Sequence, residues 1–122
     1  MLPRIAIYSS TKAGVVHFTR CIAQTSPRDH GVRVNCICPG YVYTNMMTSF
    51  LNDTWEGRFK PTPEIADLIP KNDEEAREMY LKTSDISNEV MKLINDESKN
   101  GQVLAITKNP DDRTLLENVE LK

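Results

Sequence analysis

The sequence predicts an α/β fold built on a parallel sheet, and three observations lead there. A long amphipathic helix over residues 8 to about 28 runs through a brief turn into a short apolar strand, 32–38. A second helix, about 85–98, runs into a second short strand, 102–107. The first strand is short, β-branched and mostly apolar, and a strand apolar on both faces usually belongs to a parallel sheet covered by helices on both sides.

Each element has its own reasons. In the first helix Val15, Phe18 and Ile22 recur at helical spacing, with Ala13 and Val16 close to the same stripe. Ser9, Ser10 and Thr11 form a polar start. Pro27 and Gly31 mark the end, because the residue before proline avoids helical angles and glycine suits the reversal. The strand "VRVNCIC" is bounded by Gly31 and by Pro39-Gly40, so it reads as a buried strand ending in a sharp turn. From 41 to about 71 the chain reads as irregular, with Pro61, Pro63 and Pro70 among Phe50, Leu51, Trp55 and Phe59. A stretch this long without periodicity is usually functional or disordered. Its aromatics favour a lid or short helices over a pocket; the plainer alternative is that they patch the edge of the core.

Residues 73–82 predict a short helix with Ala76, Met79 and Tyr80 on one face, and Asp73, Glu74 and Glu75 in the first turn where the helix dipole favours them. In the helix of 85–98, Ile86, Val90, Leu93 and Ile94 form the apolar stripe. Ser84 or Asp85 would cap it and Asn100-Gly101 would end it. From Lys108 a charged tail follows, 108–122, whose Leu115-Leu116 pair could dock on the body. Two parallel strands do not make a stable sheet by themselves, so the count of two strands and about three helices points to something missing.

Composition excludes several classes. The 122 residues are 39% hydrophobic and 26% charged, with a formal net charge of -2. Lys and Arg are scattered, which argues against nucleic acid as a partner. No apolar run approaches the roughly 20 residues of a membrane span, and "MLPRIAIYSS" lacks a secretory core. A cytoplasmic location is expected, with no membrane partner. Cys21, Cys36 and Cys38 include no CxxC pair and stand near no histidine cluster, so no metal site is expected. Cys36 and Cys38, two apart, read as small buried apolar groups on one strand face.

The sharpest chemistry lies in "IYSSTKAGVVHFTR", residues 7–20. Tyr8 and Lys12 are four apart and share one helix face. An ammonium beside a phenol favours the phenolate, and a tyrosine so tuned can exchange a proton with an alcohol or carbonyl. Alone, the pair is weak evidence, because both residues are common on surfaces.

Its context is stronger. "YSSTKAGVVHFTR" followed by "GVRVNCICPGYVYT" resembles the short-chain dehydrogenase/reductase family. YxSxK opens a long helix, RVN lies in the next strand, and P-G-x-x-x-T follows directly. The resemblance covers residues 4 to about 107, and "VMKLINDESKNGQVLAIT" looks like the 15-hydroxyprostaglandin dehydrogenase-like group within it. It implies the C-terminal part of a Rossmann-type doubly wound parallel sheet over 1–107, with a lid at about 44–71. It implies Tyr8 as catalytic acid/base, and Lys12 as the residue that binds the nicotinamide ribose and lowers the Tyr8 pKa. Pro39 and Gly40 would form a turn close to the cofactor, NAD or NADP. Val42 would offer its backbone to the carboxamide and Thr44 its hydroxyl. Tyr41 and Tyr43 would either face the substrate or cover the turn. The substrate would be a small-molecule alcohol or ketone, and the helix Tyr8–Thr25 would pack across a homo-oligomer interface.

The chain also departs from the family. Nothing like the glycine-rich TGxxxGxG turn occurs among its five glycines. The NNAG-type motif and the serine expected about a dozen residues before the tyrosine are absent as well. These departures predict that the nucleotide-binding half is missing, through a truncated gene model or as a real short product. They predict weak or no NAD(P) binding and no activity for the chain alone. Two other readings stand beside the enzyme fragment: a non-catalytic dimerisation or interaction module, and an unrelated small α/β protein.

Overall fold

A computed structural model describes residues 6–108. The charged tail beyond Lys108, with Leu115 and Leu116, lies outside the described residues. Two strands, β1 (Cys36–Pro39) and β2 (Val103–Ile106), pair in parallel, with Cys36 opposite Val103 and Pro39 opposite Ile106. Parallel neighbours require a long crossover. Here it holds four helices, α3 (Asn45–Trp55), α4 (Pro63–Ala66), α5 (Asp73–Met79) and α6 (Thr83–Asn95). Two more, α1 (Ala6–Ala23) and α2 (Ser26–His30), precede β1. The parallel α/β reading therefore holds.

Several boundaries move for local reasons. The first helix stops at Ala23, and Pro27 opens a separate short helix rather than closing the long one. Proline is well placed there because its missing N–H falls where a helix start leaves donors unpaired. Gly31 ends α2 in the left-handed region, φ 67°, as a glycine cap does. The first strand begins only at Cys36, because Arg33, Val34 and Asn35 are engaged elsewhere. Arg33 Nη1 donates to the carbonyls of Leu93 (3.0 Å), Asp96 (2.9 Å) and Lys99 (2.9 Å), and Nη2 to Ile94 (2.9 Å). Those oxygens belong to the end of α6 and the turn after it, where helix carbonyls lack partners. Asn100 ties the layers: its Nδ2 donates to Ala23 O at 2.7 Å while its Oδ1 accepts from Val34 N at 3.0 Å.

The stretch from 41 to 71 is more ordered than its prolines suggest. Thr44 caps α3 by accepting from Met47 N. Leu51 on α3 and Ala76 and Tyr80 from the α5 region form a buried cluster, with Tyr43, Met47, Trp55 and Ile69 packed against it. Trp55 Nε1 donates to Pro70 O at 2.8 Å, and Phe50 and Phe59 lie 5.0 Å apart by ring centroids. The aromatics thus build helices with a core of their own. Met79 is exposed, unlike Ala76 and Tyr80. Asn72 caps α5 by accepting from Glu75 N at 2.9 Å. In α6 the cap is Asp85 acting from the first turn, which accepts from Lys82 N at 2.8 Å. The face of α6 buries Glu89, paired with Lys92 at 2.9 Å, while Ile94 stands exposed.

The expected stripe on α1 is also corrected. Val15 and Phe18 are 53% and 63% exposed, and Thr19 and Ala23 are the buried positions. The helix turns toward the sheet the face that carries Tyr8, Lys12, Val16 and Thr19, with Val15 half-exposed at the cleft, and leaves Ile7 and Phe18 outward.

Candidate active site

Four segments meet around a cleft of about 990 Å³: the first turns of α1, strand β1, the turn after it and the start of α3. Tyr8, Lys12, Pro39, Gly40, Val42 and Thr44 all line it. The six candidates of the sequence thus converge on one hollow. The helix supplies two of them because residues four apart lie one above the other. The others follow because a strand that ends in Pro-Gly delivers the next residues to its carboxyl end, where open α/β sheets place ligands.

The Lys12 ammonium lies over the Tyr8 ring, 5.5 Å from its centroid. Tyr8 is 59% exposed, so its phenol is open to whatever enters. Thr11 Oγ1 donates to Tyr8 O at 2.8 Å within the same turn. Gly40 donates its N–H to Ile106 O at 2.9 Å. A Cβ at Gly40 would meet only that oxygen, at 3.5 Å, an ordinary contact. The chain's own packing therefore does not require glycine there.

Val42 forms an isolated parallel bridge with Leu81. Leu81 N donates to Tyr41 O at 2.9 Å, and Tyr43 N donates to Leu81 O at 2.8 Å. In that pattern the N–H and C=O of Val42 itself point away from Leu81. Thr44 Oγ1 is an acceptor for the α3 cap, which leaves its hydroxyl proton to donate.

The two tyrosines of the turn part company. Tyr41 lines the cleft and packs its ring on Tyr80, with centroids 5.4 Å apart. Burial pushes the Tyr80 phenol up, and Tyr41 adds to the shift. Tyr43 leaves the cleft: its hydroxyl donates to Asp73 Oδ1 at 2.5 Å, and Arg77 lies over its ring at 4.6 Å. It therefore covers the turn and fastens it to α5.

Cys36, Cys38, Met46, Met47 and Phe50 also line the cleft. The cysteines come with the strand's alternation. The α3 side chains become legible only once Thr44 is recognised as a cap, because the cap sets the helix phase. Among the described residues no group of three or more His, Cys, Asp or Glu could hold a metal ion, and no helix is long and apolar enough to cross a membrane.

Comparison with known proteins gives these features a family. The short chain dehydrogenase family model matches residues 1–55. The 15-hydroxyprostaglandin dehydrogenase (NAD(+)) of Bos taurus is 33% identical over 102 residues, 83% of this chain and 36% of its own. The short-chain dehydrogenase/reductase prx7 of Penicillium rubens is 45% identical over 64 residues, 52% of this chain and 22% of its own. The human 3-oxoacyl-(acyl-carrier-protein) reductase is 33% identical over 69 residues, 52% of this chain and 29% of its own. The chain spans 36% of the length of the first of these relatives. Motif order, parallel sheet and these matches agree: the chain belongs to the short-chain dehydrogenase/reductase family.

Proposed function

We propose that this chain carries the proton-transfer side of an NAD(P)-dependent oxidoreductase that interconverts a secondary alcohol and a ketone. The observation that carries the reading is the convergence of Tyr8, Lys12, Pro39, Gly40, Val42 and Thr44 on one cleft. The Tyr8 phenol gives its proton to a carbonyl oxygen on reduction and takes it back from the alcohol on oxidation. Lys12, a compact cation with three donors, holds ribose hydroxyls and keeps positive charge beside the phenol. A nicotinamide, when bound, supplies or accepts the hydride. The residues fit such a group. Gly40 leaves room where a side chain would stand, the Val42 backbone groups point away from Leu81, and Thr44 has a proton to donate.

The 122 residues contain no glycine-rich phosphate turn. The pyrophosphate cradle and a carbonyl-polarising hydroxyl must therefore come from other residues, and the chain alone binds NAD(P) weakly or not at all. The free thiols Cys21, Cys36 and Cys38 suit the reducing cytoplasm, where we place the protein. The test is a chimera. Residues 6–108 joined behind the nucleotide-binding half of a relative should oxidise secondary alcohols with NAD(P), and Tyr8→Phe should remove that activity. A chimera that folds and binds cofactor but turns over equally well with Phe at this position refutes the role of Tyr8.

A second reading is favoured by the outward face of α1, where Ile7 and Phe18 are 84% and 63% exposed. Such a stripe on one helix suits packing against another protein chain. As a homo-oligomer contact it accompanies the enzyme reading; acting alone, it would make the short chain a binding module for a full-length relative. Co-purification with that relative, lost on Phe18→Glu, tests it.

A further inference from the structure

Cys36 and Cys38 have no part in the proton-transfer reading. They occupy alternate positions of β1, so both side chains leave the same face of the strand. Arg33, Asn35 and Ile37 take the other face, toward Val90 and Leu93 of α6. Both thiols are free, half-buried and open to the cleft that holds Tyr8 and Lys12. Cys36 Sγ donates to Ile37 O at 3.6 Å. We propose that Cys36 and Cys38 form a dithiol clamp on the cleft wall, which takes a thiophilic centre able to bridge two sulfurs, the type ligand being the trivalent arsenic of an organoarsenous acid.

The geometry favours a bridging atom over a disulfide. Residues two apart on a strand place their Cα atoms about 6.6 Å apart. That is near the upper end of the roughly 4.4–6.8 Å that disulfides span. Shortening the distance would bend β1 against the bonds that anchor both its ends, Cys36 N to Gln102 O at 2.8 Å and Gly40 N to Ile106 O at 2.9 Å. A third atom bound to each sulfur at about 2.3 Å, as zinc binds thiolate, accepts a wider gap between the sulfurs.

Protonation fits the same ligand. Burial pushes the Cys38 thiol up, and Cys36 beside it adds to the shift. Cys38 therefore meets a ligand as a neutral thiol. In R–As(OH)2 two As–O bonds break and two As–S bonds form. Each thiol proton leaves with a departing hydroxide as water, and no electron changes hands. The assignment rests on the register of β1 and not on the oxidoreductase reading, so it can stand or fall separately.

The test uses the full chain with Cys21→Ser, which removes the exposed thiol that contacts His17 on α1. Phenylarsine oxide should add one phenylarsenic group per chain by mass spectrometry. The group should survive excess mercaptoethanol and be lost to dithiothreitol. Replacing Cys36 or Cys38 by Ser should abolish its survival in mercaptoethanol. The Val replacements, which keep apolar packing, should do the same with unchanged circular dichroism. In urea the affinity should fall about tenfold, because the folded strand pre-organises the pair. Survival of the adduct in any of these variants overturns the clamp, and so does equal affinity in urea.

Discussion

The Lys12 ammonium stands over the ring of Tyr8, 5.5 Å from its centroid, one turn along the same helix. The two side chains therefore stand side by side on the wall of the cleft. In the chimera, Tyr8→Phe should lower kcat by about 10²–10⁴-fold, the usual worth of a positioned acid/base group. Lys12→Ala should lower kcat and raise the cofactor KM together. Steady-state kinetics on both variants checks this, and an unchanged KM for Lys12→Ala would remove its cofactor role.

For the chain alone, titration with NADH followed by nicotinamide fluorescence should show no saturable binding at micromolar concentration, since the sequence supplies no glycine-rich phosphate turn. A micromolar or tighter dissociation constant would show that the cleft suffices without one.

Arg33 holds four carbonyls at the end of α6 and the turn beyond it, at 2.9–3.0 Å. Hydrogen bonds from a charged donor contribute about 1.5–3 kcal/mol, and losing the donor leaves half-buried acceptors unpaired. Arg33→Met, which keeps the apolar stem, should cost about 2–3 kcal/mol in urea unfolding. Arg33→Lys should recover only part of it, because an ammonium lacks the planar fork.

Two glycines should respond oppositely to alanine. Gly101 has φ 73°, and a Cβ there would lie 3.2 Å from Ala23 Cβ. Its replacement should destabilise by about 1–2 kcal/mol from the left-handed backbone alone. Gly14 lies inside α1 with nothing within 4 Å of an added Cβ. Gly14→Ala should stabilise the chain by about 0.5–1 kcal/mol. Thermal melts of the two variants should shift in opposite directions.

The Tyr43–Asp73–Arg77 cluster predicts an acid-sensitive contact between the turn after β1 and α5. The hydrogen bond from Tyr43, and next that from Arg77, lowers the Asp73 carboxyl below its ordinary 3.8. A depressed folded-state pKa gives stability that is present above the unfolded value and lost as pH falls through the folded one. The loss should therefore begin near pH 4 and deepen below it. The same bond raises the Tyr43 phenol above 10, so its contribution persists below that pH and fades as pH rises beyond it. Asp73→Asn should flatten the acid limb of a stability–pH curve, and Tyr43→Phe should flatten both limbs. The groups are solvent-exposed, so high salt should weaken the effect.

Much of this was legible in the residues. Tyr8, Lys12 and the Pro39–Thr44 turn stand out as candidates by type and spacing and line one cleft, and the apolar run of β1 announces a parallel strand. Other features were not. Pro27 reads equally well as a helix end or a helix start, and only the break after Ala23 decides. The stretch from 41 to 71 has no long periodicity because its helices are short and are held by a shared cluster around Leu51, Ala76 and Tyr80. The apolar stripe on α1 invited burial, yet Thr19 and Ala23 take that place.

The sequence by itself determined the fold class, the family and which residues are the candidates for proton transfer, because these depend on local spacing along helix and strand. Tertiary structure alone decided which way each face turns. Whether Tyr43 lines the cleft or fastens the turn to α5, whether Cys36 and Cys38 are hidden or open, and which side of α1 meets the sheet all depend on contacts between residues distant in the chain. Spacing along one element sets which side chains share a face; only the packing of one element on another sets what that face meets.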